Sequence, residues 1–251
     1  QSHDFECLSI GDLADGLDKR IVTSSDLVSY FTDKITREDK DCNSIAFINP
    51  DAAVIAQKMD DERAAGQLRG VLHGIPIVIK DNIDTADKMM TTAGSLALDG
   101  ARVQRDANLV SRLREGGAII LAKTILSEWA NFRSTKSCTG WSSRGGQVRN
   151  AYAIDRTPGG SSSGSAVAVA RSFCAGAIGT ETDGSIVVPA AMNSLVGIKP
   201  TVGMVSRTGV IPISFSQDTA GPIAKTVTDA STILSVPVSY THLRAHETNS
   251  H

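Results

Sequence analysis

The sequence predicts an α/β fold with a largely buried sheet, and three observations support this prediction. Short, continuous apolar runs recur at 75–79, 118–122 and 195–198, as is typical of strands buried on both faces. Segments with helical periodicity alternate with these runs. A chain of 251 residues is also long enough to bury a large core, in one α/β domain or in two small ones.

Amphipathic helices are predicted for the first part of the chain. Ser9 precedes an apolar stripe that begins at Ile10, and Ser24 or Ser25 is predicted to cap a second helix. Pro50 is placed in the first turn of a third helix, where its missing N–H costs nothing. We interpret these three helices as scaffold.

The first predicted strand, 75–79, leads into Lys80, so this strand carries charge at its C-terminal end. A helix around Leu109 and Leu113 is predicted to stop at the glycines 116–117. The next strand, 118–122, again ends at a lysine, Lys123. Helix and strand therefore alternate in this region.

A further helix start is predicted at 127–129, followed by a polar irregular segment to Asn150. Small residues after Ser163 predict a closely packed helix. Glycine, proline and serine dominate 200–222, which we interpret as a long ordered loop.

The last helix is predicted to open with a capping box formed by Thr226 and Asp229 and to end near Ser235. Residues 236–251 show neither helical nor strand periodicity and contain His242, His246 and His251. His242 and His246 are four residues apart, a spacing that can bind metal on a helix, but no carboxylate or cysteine framework surrounds them.

The same segment, 236–251, resembles a translated sequencing adapter, so we interpret it as a non-native tail. On this interpretation the tail is an artefact that truncates a longer chain after about residue 235.

Composition argues against several partners. A net charge of -2 and a pI near 6.2 give no basic footprint for nucleic acid. No apolar run is long enough to span a bilayer, and the N-terminus lacks a signal-peptide pattern, so we expect a soluble protein without a membrane partner. Because the chain begins at Gln1 and not at Met, secretion stays open beside the cytoplasm, and the oligomeric state is also open.

The cysteines show no C-x-x-C spacing, so neither a zinc site nor a redox pair is predicted. We expect four free, buried thiols and no metal. They are Cys7, Cys42, Cys138 and Cys174.

Residues 157–189 contain two turns rich in glycine and serine, which suit an anion or an oxyanion because their backbone N–H groups are accessible. The first turn matches G-x-S-x-G with Ser162 as nucleophile. The segment before it is polar and ends in Pro158, however, and the histidines after it all lie in the tail. Because His3 and His73 lie upstream, a serine–histidine hydrolase is disfavoured.

A phosphate-binding loop is also poorly supported, because no Gly-Lys-Ser/Thr closes either turn. A serine can instead be activated by an amine that burial keeps neutral, and Lys80 is the candidate. The alternative for Lys80 is an ion pair at the strand end with Asp81 or Asp84.

Several segments together resemble the amidase signature family of serine hydrolases. The resemblance covers most of the chain, and the details at SEWANFRS and SFSQDTAGP look closest to bacterial and fungal amidases of the peptide-amidase type. The segments are GIPIVIKDNID, GAIILAKT, TPGGSSSGSA, GTETDGSIVVPA and GIKPTVGMVSRTG through QDTAGP.

The resemblance implies a mixed central sheet surrounded by helices, with residues 1–235 as the N-terminal half of a single domain. It also implies a Ser-Ser-Lys triad. By it, Lys80 is the general base, Ser161 the bridging serine after a cis peptide bond, and Ser185 the nucleophile. It also implies an oxyanion hole made by backbone N–H groups, without a metal or an organic cofactor. The four donors are Thr182, Asp183, Gly184 and Ser185.

Two residues depart from the common family pattern G-T-D-T-G-G-S: Glu181 replaces Asp and Asp183 replaces Gly. We expect only Asp183 to enter the oxyanion loop, with its carboxylate paired to Arg207 or Lys199. Similar segments border the acyl pocket in relatives, so Ser134 is a candidate substrate contact, although a turn serine fits equally well.

Aromatic residues near this segment are candidates for an apolar wall of the substrate site, although side chains of this kind are usually core. They are Trp129, Phe132 and Trp141.

The resemblance implies hydrolysis of a small-molecule or peptide carboxamide through an acyl-enzyme on Ser185. Two alternatives remain. One is the transamidating subunit of a glutamine-dependent amidotransferase, which needs a partner chain and tRNA. The other is a catalytically inert fragment that binds an amide or a phosphate without turnover.

Overall fold

The computed structural model describes residues 5–238. Their secondary structure alternates as the sequence predicts. The helices are α1 (Ile10–Asp18), α2 (Ser24–Cys42), α3 (Ala52–Ala64), α4 (Asn108–Glu115), α5 (Ser163–Ala170), α6 (Val187–Met192) and α7 (Val227–Ser235). The strands are β1 (Ile45–Ile48), β2 (Pro76–Lys80), β3 (Ile119–Thr124), β4 (Trp141–Ser142), β5 (Gly146–Gln147), β6 (Gly176–Glu181), β7 (Val196–Gly197) and β8 (Thr219–Ala224).

The main sheet has six strands in the order β1-β3-β2-β6-β8-β7. Strand β2 pairs in parallel with β3 and β6, whereas the pairs β1/β3, β6/β8 and β8/β7 are antiparallel. Every residue of β2, β3, β6 and β8 is buried, so both faces of the sheet centre are covered. The predicted α/β fold with a mixed central sheet is confirmed.

Helix α5 lies against β2, β3, β6 and β8, and its small residues allow this close approach. Gly164 shows why: a Cβ at this position would lie 2.3 Å from the carbonyl oxygen of Ser44 and 2.5 Å from that of Ile125. Only glycine fits between these two backbones. The start of α5, which directly follows the turn at 157–162, is thereby held in place.

The cap predicted for α2 was wrong by one or two residues. Thr23 is the N-cap: its Oγ1 accepts the N–H of Asp26 at 3.0 Å, and the Asp26 carboxylate accepts the N–H of Thr23 at 2.9 Å. Ser24 is instead the first residue of the helix. Helix α3 also starts later than expected, at Ala52, so Pro50 precedes the helix.

Helix α7 has only half of the predicted capping box. Thr226 Oγ1 accepts the N–H of Asp229 at 3.0 Å, as expected. The Asp229 carboxylate, however, accepts the N–H of Ile10 at 2.9 Å, and so satisfies a free donor at the start of α1. The aspartate therefore joins the two ends of the described chain.

The loop predicted for 200–222 is shorter than expected, because its last part forms β8 from Thr219. The helix predicted from Ser127 was also wrong. Residues Glu128–Asn131 form a short 3-10 turn in which Trp129 and Ala130 have left-handed backbone angles (φ 49° and 53°). A regular helix cannot continue through such residues.

The cysteine prediction was half correct. All four cysteines are free, but only Cys42 and Cys174 are buried, whereas Cys7 and Cys138 are exposed. Within residues 5–238 no cluster of three or more His, Cys, Asp or Glu side chains is placed to hold a metal ion. No helix in the same range is long and apolar enough to cross a membrane.

Val236 and Val238 follow α7 and pack partly buried against the core. The rest of the predicted tail, including His242, His246 and His251, lies outside the described residues.

Candidate active site

The two central parallel strands bring a lysine and a threonine together at one edge of the sheet. Strand β2 ends at Lys80, and Thr180 lies near the end of the adjacent β6. Lys80 Nζ lies 2.8 Å from Ser161 Oγ, 2.8 Å from Thr180 Oγ1 and 3.2 Å from the Thr180 carbonyl oxygen. The lysine side chain is fully buried. The predicted contact of Lys80 with Ser161 is therefore present.

Burial lowers the pKa of Lys80 to about 7, from the usual 10.5, because the charged amine loses its hydration. The carboxylates of Glu181 and Asp218 act in the opposite direction but do not outweigh the desolvation. A substantial fraction of Lys80 is therefore neutral near neutral pH, as a general base requires.

The alternative of an ion pair between Lys80 and the following aspartates was wrong. Asp81 lies instead 3.5 Å from Lys123 Nζ, the lysine in β3. Lys123 also donates to the carbonyl oxygen of Ile83 at 2.8 Å and to Thr91 Oγ1 at 3.0 Å. The two buried lysines therefore have separate surroundings, and only Lys80 contacts a serine of the glycine-rich stretch.

The peptide bond between Gly160 and Ser161 is cis, as the family resemblance implies. Ser161 is buried, and its carbonyl oxygen accepts the N–H of Ser127 at 3.1 Å. Segment 157–162 is thus anchored on both sides, by Lys80 through its side chain and by Ser127 through the backbone.

Ser162, the nucleophile of the G-x-S-x-G reading, has a structural role. Its Oγ donates to the carbonyl oxygen of Thr180 at 3.1 Å and accepts the N–H of Thr180 at 3.2 Å. No strand of the described chain leads into this turn. The buried His73 bonds to the carbonyl oxygen of Met59 and to the N–H of Arg69, so it is structural as well.

Ser185 lies in the turn after β6, at the border of the buried region with 9 % of its surface exposed. Its carbonyl oxygen accepts the N–H of Ser162 at 3.1 Å, so the two glycine-rich turns are directly joined. Within residues 5–238 the Ser185 hydroxyl forms no hydrogen bond, and the predicted contact with Ser161 is not made in this structure.

Glu181 shapes the turn that carries Ser185, a role that was not predicted from the sequence. Its carboxylate accepts the N–H groups of Gly184 at 2.8 Å, Ile186 at 2.7 Å and Val187 at 3.0 Å. The expectation that only Asp183 enters this loop was therefore wrong. The signal was present in the sequence, because Glu181 directly precedes the turn and is a long acceptor for free N–H groups.

The Glu181 carboxylate also changes the predicted oxyanion donors. The N–H of Gly184 is already bonded to Glu181, so it is not free to bind an oxyanion in this structure. In the described chain, the N–H groups of Thr182, Asp183 and Ser185 donate to no protein acceptor. Three of the four predicted donors are therefore available.

The predicted ion pair of Asp183 was wrong. Asp183 is exposed and has no cationic partner among residues 5–238. Arg207 donates instead to the carbonyl oxygen of Phe215, and Lys199 forms no salt bridge in the same part of the chain. Asp218, which is buried like Glu181, accepts the hydroxyl of Thr182 at 2.6 Å.

Ser134 lies in a surface turn, where its Oγ accepts the N–H of Lys136 at 3.0 Å. It also lines a cavity of about 280 Å³ together with Trp141 and Cys138. Phe132 and Trp141 are exposed, by 55 % and 44 % of their surfaces, whereas Trp129 is half-buried. The three aromatic residues do not line this cavity together, so they form no common wall there.

The family profile described as Amidase matches residues 26–251. A putative amidase of Schizosaccharomyces pombe is 51 % identical over 230 residues, which are 92 % of this chain and 40 % of that protein. A probable amidase of Arabidopsis thaliana is 47 % identical over 92 % of this chain and 46 % of its own length. The chain thus spans about half the length of the curated relatives it matches.

Among solved structures, the native peptide amidase of Stenotrophomonas maltophilia is similar, with a TM-score of 0.93 and 50 % identity. The match covers 98 % of this chain and 51 % of that one. A glutamyl-tRNA(Gln) amidotransferase subunit of Thermotoga maritima superposes with a TM-score of 0.78 at 31 % identity, over 94 % of this chain and 48 % of that one.

Proposed function

We propose that this chain, which belongs to the amidase family, carries the catalytic residues of an enzyme that hydrolyses a carboxamide through an acyl-enzyme. The observation that carries the proposal is the contact of the buried Lys80 amine with the Ser161 hydroxyl, at 2.8 Å. A buried amine with a pKa of about 7 can accept a proton at neutral pH, which an ordinary lysine cannot.

In the proposed reaction, Ser185 Oγ forms a bond to the carbonyl carbon of the amide. Its proton passes to Ser161 Oγ, while the proton of Ser161 passes to Lys80 Nζ. The C–N bond then breaks, and the leaving amine takes a proton back along the same route. Water then attacks the ester carbon and gives its proton to Lys80 Nζ through Ser161. The ester C–O bond to Ser185 breaks, the carboxylic acid leaves, and Ser185 Oγ takes the proton back along the same route.

The contact of Ser185 with Ser161 that this route needs is expected to form when substrate binds. Catalytic hydrogen bonds are often long or absent in free enzymes and shorten in the reacting complex. The Ser185 hydroxyl is otherwise unbonded within residues 5–238, so no protein bond has to break before it turns towards Ser161.

Negative charge on the carbonyl oxygen would be stabilised by the N–H groups of Thr182, Asp183 and Ser185, which are free in this structure. Losing one such donor typically costs about 3 to 4 kcal/mol of transition-state stabilisation. Glu181 contributes indirectly, because it fixes the turn through its three backbone bonds.

The proposed substrate class is a small-molecule or peptide amide, supported by the likeness to a peptide amidase. The cavity beside Ser134 and Trp141 is the proposed place for part of the acyl group. The proposed chemistry uses side chains and backbone alone and gives no role to a metal or organic cofactor, nucleic acid or membrane.

A transamidating role is the second candidate, because a glutamyl-tRNA(Gln) amidotransferase subunit of Acidothermus cellulolyticus is 41 % identical. The amidases reach 51 % and 47 %, so simple hydrolysis is the better supported reaction. A third candidate, an inert fragment that binds without turnover, retains the same contacts but would release no product.

Release of ammonia from a C-terminally amidated peptide by the 251-residue chain tests the proposal. We expect release by the unmodified chain and by Ser111→Ala, a change at a partly exposed position of α4, but none by Ser185→Ala. Turnover by Ser185→Ala would exclude the acyl-enzyme. No release by the unmodified chain would favour the inert fragment, and release of ammonia only with a partner chain and tRNA would favour transamidation.

A further inference from the structure

Thr180 contacts the amine of Lys80, although the reaction proposed above gives Thr180 no role. Both of its oxygens face Nζ, the hydroxyl at 2.8 Å and the carbonyl at 3.2 Å. The hydroxyl also accepts the side-chain amide of Asn82 at 3.0 Å. Backbone bonds of Thr180 to Ser162 Oγ fix the residue from the other side.

The bonding capacity of these groups limits how neutral Lys80 can be arranged. A neutral amine has two N–H donors and one lone pair. The Thr180 carbonyl can only accept, so it takes one N–H. The Thr180 hydroxyl already accepts from Asn82 and has one lone pair left, which can take the second N–H.

We propose that Thr180 is a positioning residue: its two oxygens bind both N–H groups of neutral Lys80, so that the amine lone pair points to the hydroxyl of Ser161. With both donors used, Lys80 can bond to Ser161 only as an acceptor. Asn82 holds the Thr180 hydroxyl in the orientation that this requires.

The same arrangement serves the proton after its transfer. When the proton moves from Ser161 Oγ to Nζ, the resulting ammonium has three N–H donors. Thr180 O, Thr180 Oγ1 and the Ser161 oxygen then provide three acceptors at 2.8 to 3.2 Å. The lysine therefore need not rotate between its two protonation states.

Charges around Lys80 bear on how the proposal can be tested. Burial is the main cause that lowers the pKa of Lys80, while Glu181 and Asp218 are the charged groups that raise it. Neither carboxylate bonds directly to Thr180. A change of the Thr180 hydroxyl thus alters the bonding of Lys80 and leaves these charges in place.

The test is the titration of Lys80 in the 251-residue chain with ¹³C-labelled lysine side chains, with the Lys80 signal assigned by its absence in Lys80→Met. We expect a midpoint of about 7 in the unmodified chain. Thr180→Val and the smaller Thr180→Ala should lower the midpoint by about one pH unit, because the Lys80 ammonium loses one of its three acceptors. Thr180→Ser keeps the hydroxyl and should keep the midpoint.

Thr124→Val is the matched control. Thr124 lies opposite Lys80 on the neighbouring strand β3 and is also buried. Its hydroxyl bonds to Ser165, not to the lysine. This variant should titrate as the unmodified chain does. An unchanged midpoint in Thr180→Val and Thr180→Ala, or an equal shift in Thr124→Val, would overturn the proposal.

The proposal deepens the function proposed above, but the two can fail separately because the titration needs no turnover. A chain that releases no ammonia yet shows the shift in Thr180→Ala retains the positioning role and loses the hydrolytic one. Where the unmodified chain does hydrolyse amide, Thr180→Val should lower kcat at least tenfold at pH 9, with KM little changed and with recovery in Thr180→Ser. An unchanged kcat at pH 9 would contradict the positioning role.

Discussion

The amine nitrogen of Lys80 lies 2.8 Å from the hydroxyl oxygen of Ser161, although the two residues are far apart in the sequence. Two structural features bring them together: β2 delivers the lysine at its C-terminal end, and α5 fixes the turn that carries the serine. Because Lys80 is fully buried, the amine loses its charge more readily than in water. The protonation state of Lys80 should therefore govern both the reactivity of the site and part of the stability of the fold.

Reaction of Ser185 with an acylating or phosphonylating reagent should depend on pH through Lys80. Only neutral Lys80 can accept the proton, and its pKa is about 7, so the rate should rise as the pH passes through 7 and then level off. The rate of labelling by a fluorophosphonate between pH 5 and pH 9 measures this. A rate that keeps rising towards pH 10 would indicate an ordinary lysine and contradict the assignment.

Lys80→Met should stabilise the fold, and more so at pH 6 than at pH 9. The folded pKa of about 7 lies below the usual 10.5, so the unfolded chain binds more protons between these values and stability rises with pH there. At pH 6 the buried Lys80 is charged, which lowers the free energy of unfolding by on the order of several kcal/mol. Replacing Lys80 by Met removes this loss. Thermal unfolding at the two pH values measures the gain.

Lys58→Met, a change at an exposed position of α3, is the control for this effect. It should change the unfolding temperature little, and equally at both pH values. A Lys80→Met variant that is less stable at pH 6 than the unmodified chain would show that the contacts of the amine outweigh its desolvation.

Glu181→Gln should lower the free energy of unfolding by about 2 kcal/mol, because an amide nitrogen then faces a buried backbone donor of the Ser185 turn. The same variant should slow the labelling of Ser185, since the free N–H groups of this turn are no longer fixed. Denaturant unfolding and labelling rates measure the two effects. Glu115→Gln, at an exposed position that ends α4, should stay within about 0.5 kcal/mol of the unmodified chain.

Unchanged stability in Glu181→Gln would mean that the three backbone donors find other acceptors. In that case the carboxylate is not what shapes the turn.

Ser161→Ala should mainly slow the labelling of Ser185, whereas Ser162→Ala should mainly lower the stability of the fold. Ser161 contacts the base, so its loss should slow labelling of Ser185 by about 100-fold or more while the fold is kept. Ser162 bonds only to the backbone of Thr180 through its hydroxyl, so its loss should cost about 1 to 2 kcal/mol of stability and leave labelling measurable. The reverse pattern would restore the G-x-S-x-G reading.

Strands β2 and β3 could be predicted from the sequence, whereas β1, β6 and β8 were missed. Strand β2, PIVIK, and strand β3, IILAKT, each contain a continuous apolar run, which indicates a buried strand. Strands β6, GAIGTE, and β8, TAGPIA, contain glycine, alanine and proline, which are weak strand formers. Tertiary contacts that local patterns do not contain hold these two strands: β6 pairs with β2 and β8, α5 packs on both β6 and β8, and α7 packs on β8.

The residues of the site were also predicted only in part. The resemblance led to Lys80, Ser161 and the cis peptide bond, and the structure has all three in the predicted arrangement. Thr180 and Glu181 were missed, because their importance comes from bonds that form only when β6 and the turn after it are folded. Residues directly before a nucleophile turn and on the strand beside a buried lysine are therefore worth inspecting in such sequences.

The most direct test of the proposed triad is the labelling of the 251-residue chain by a fluorophosphonate, with the modified residue located by mass spectrometry. We predict a single label on Ser185, no label in Ser185→Ala, and a rate at least about 100-fold lower in Lys80→Met at pH 8. A label on Ser162, or equal labelling of Lys80→Met and the unmodified chain, would contradict the triad.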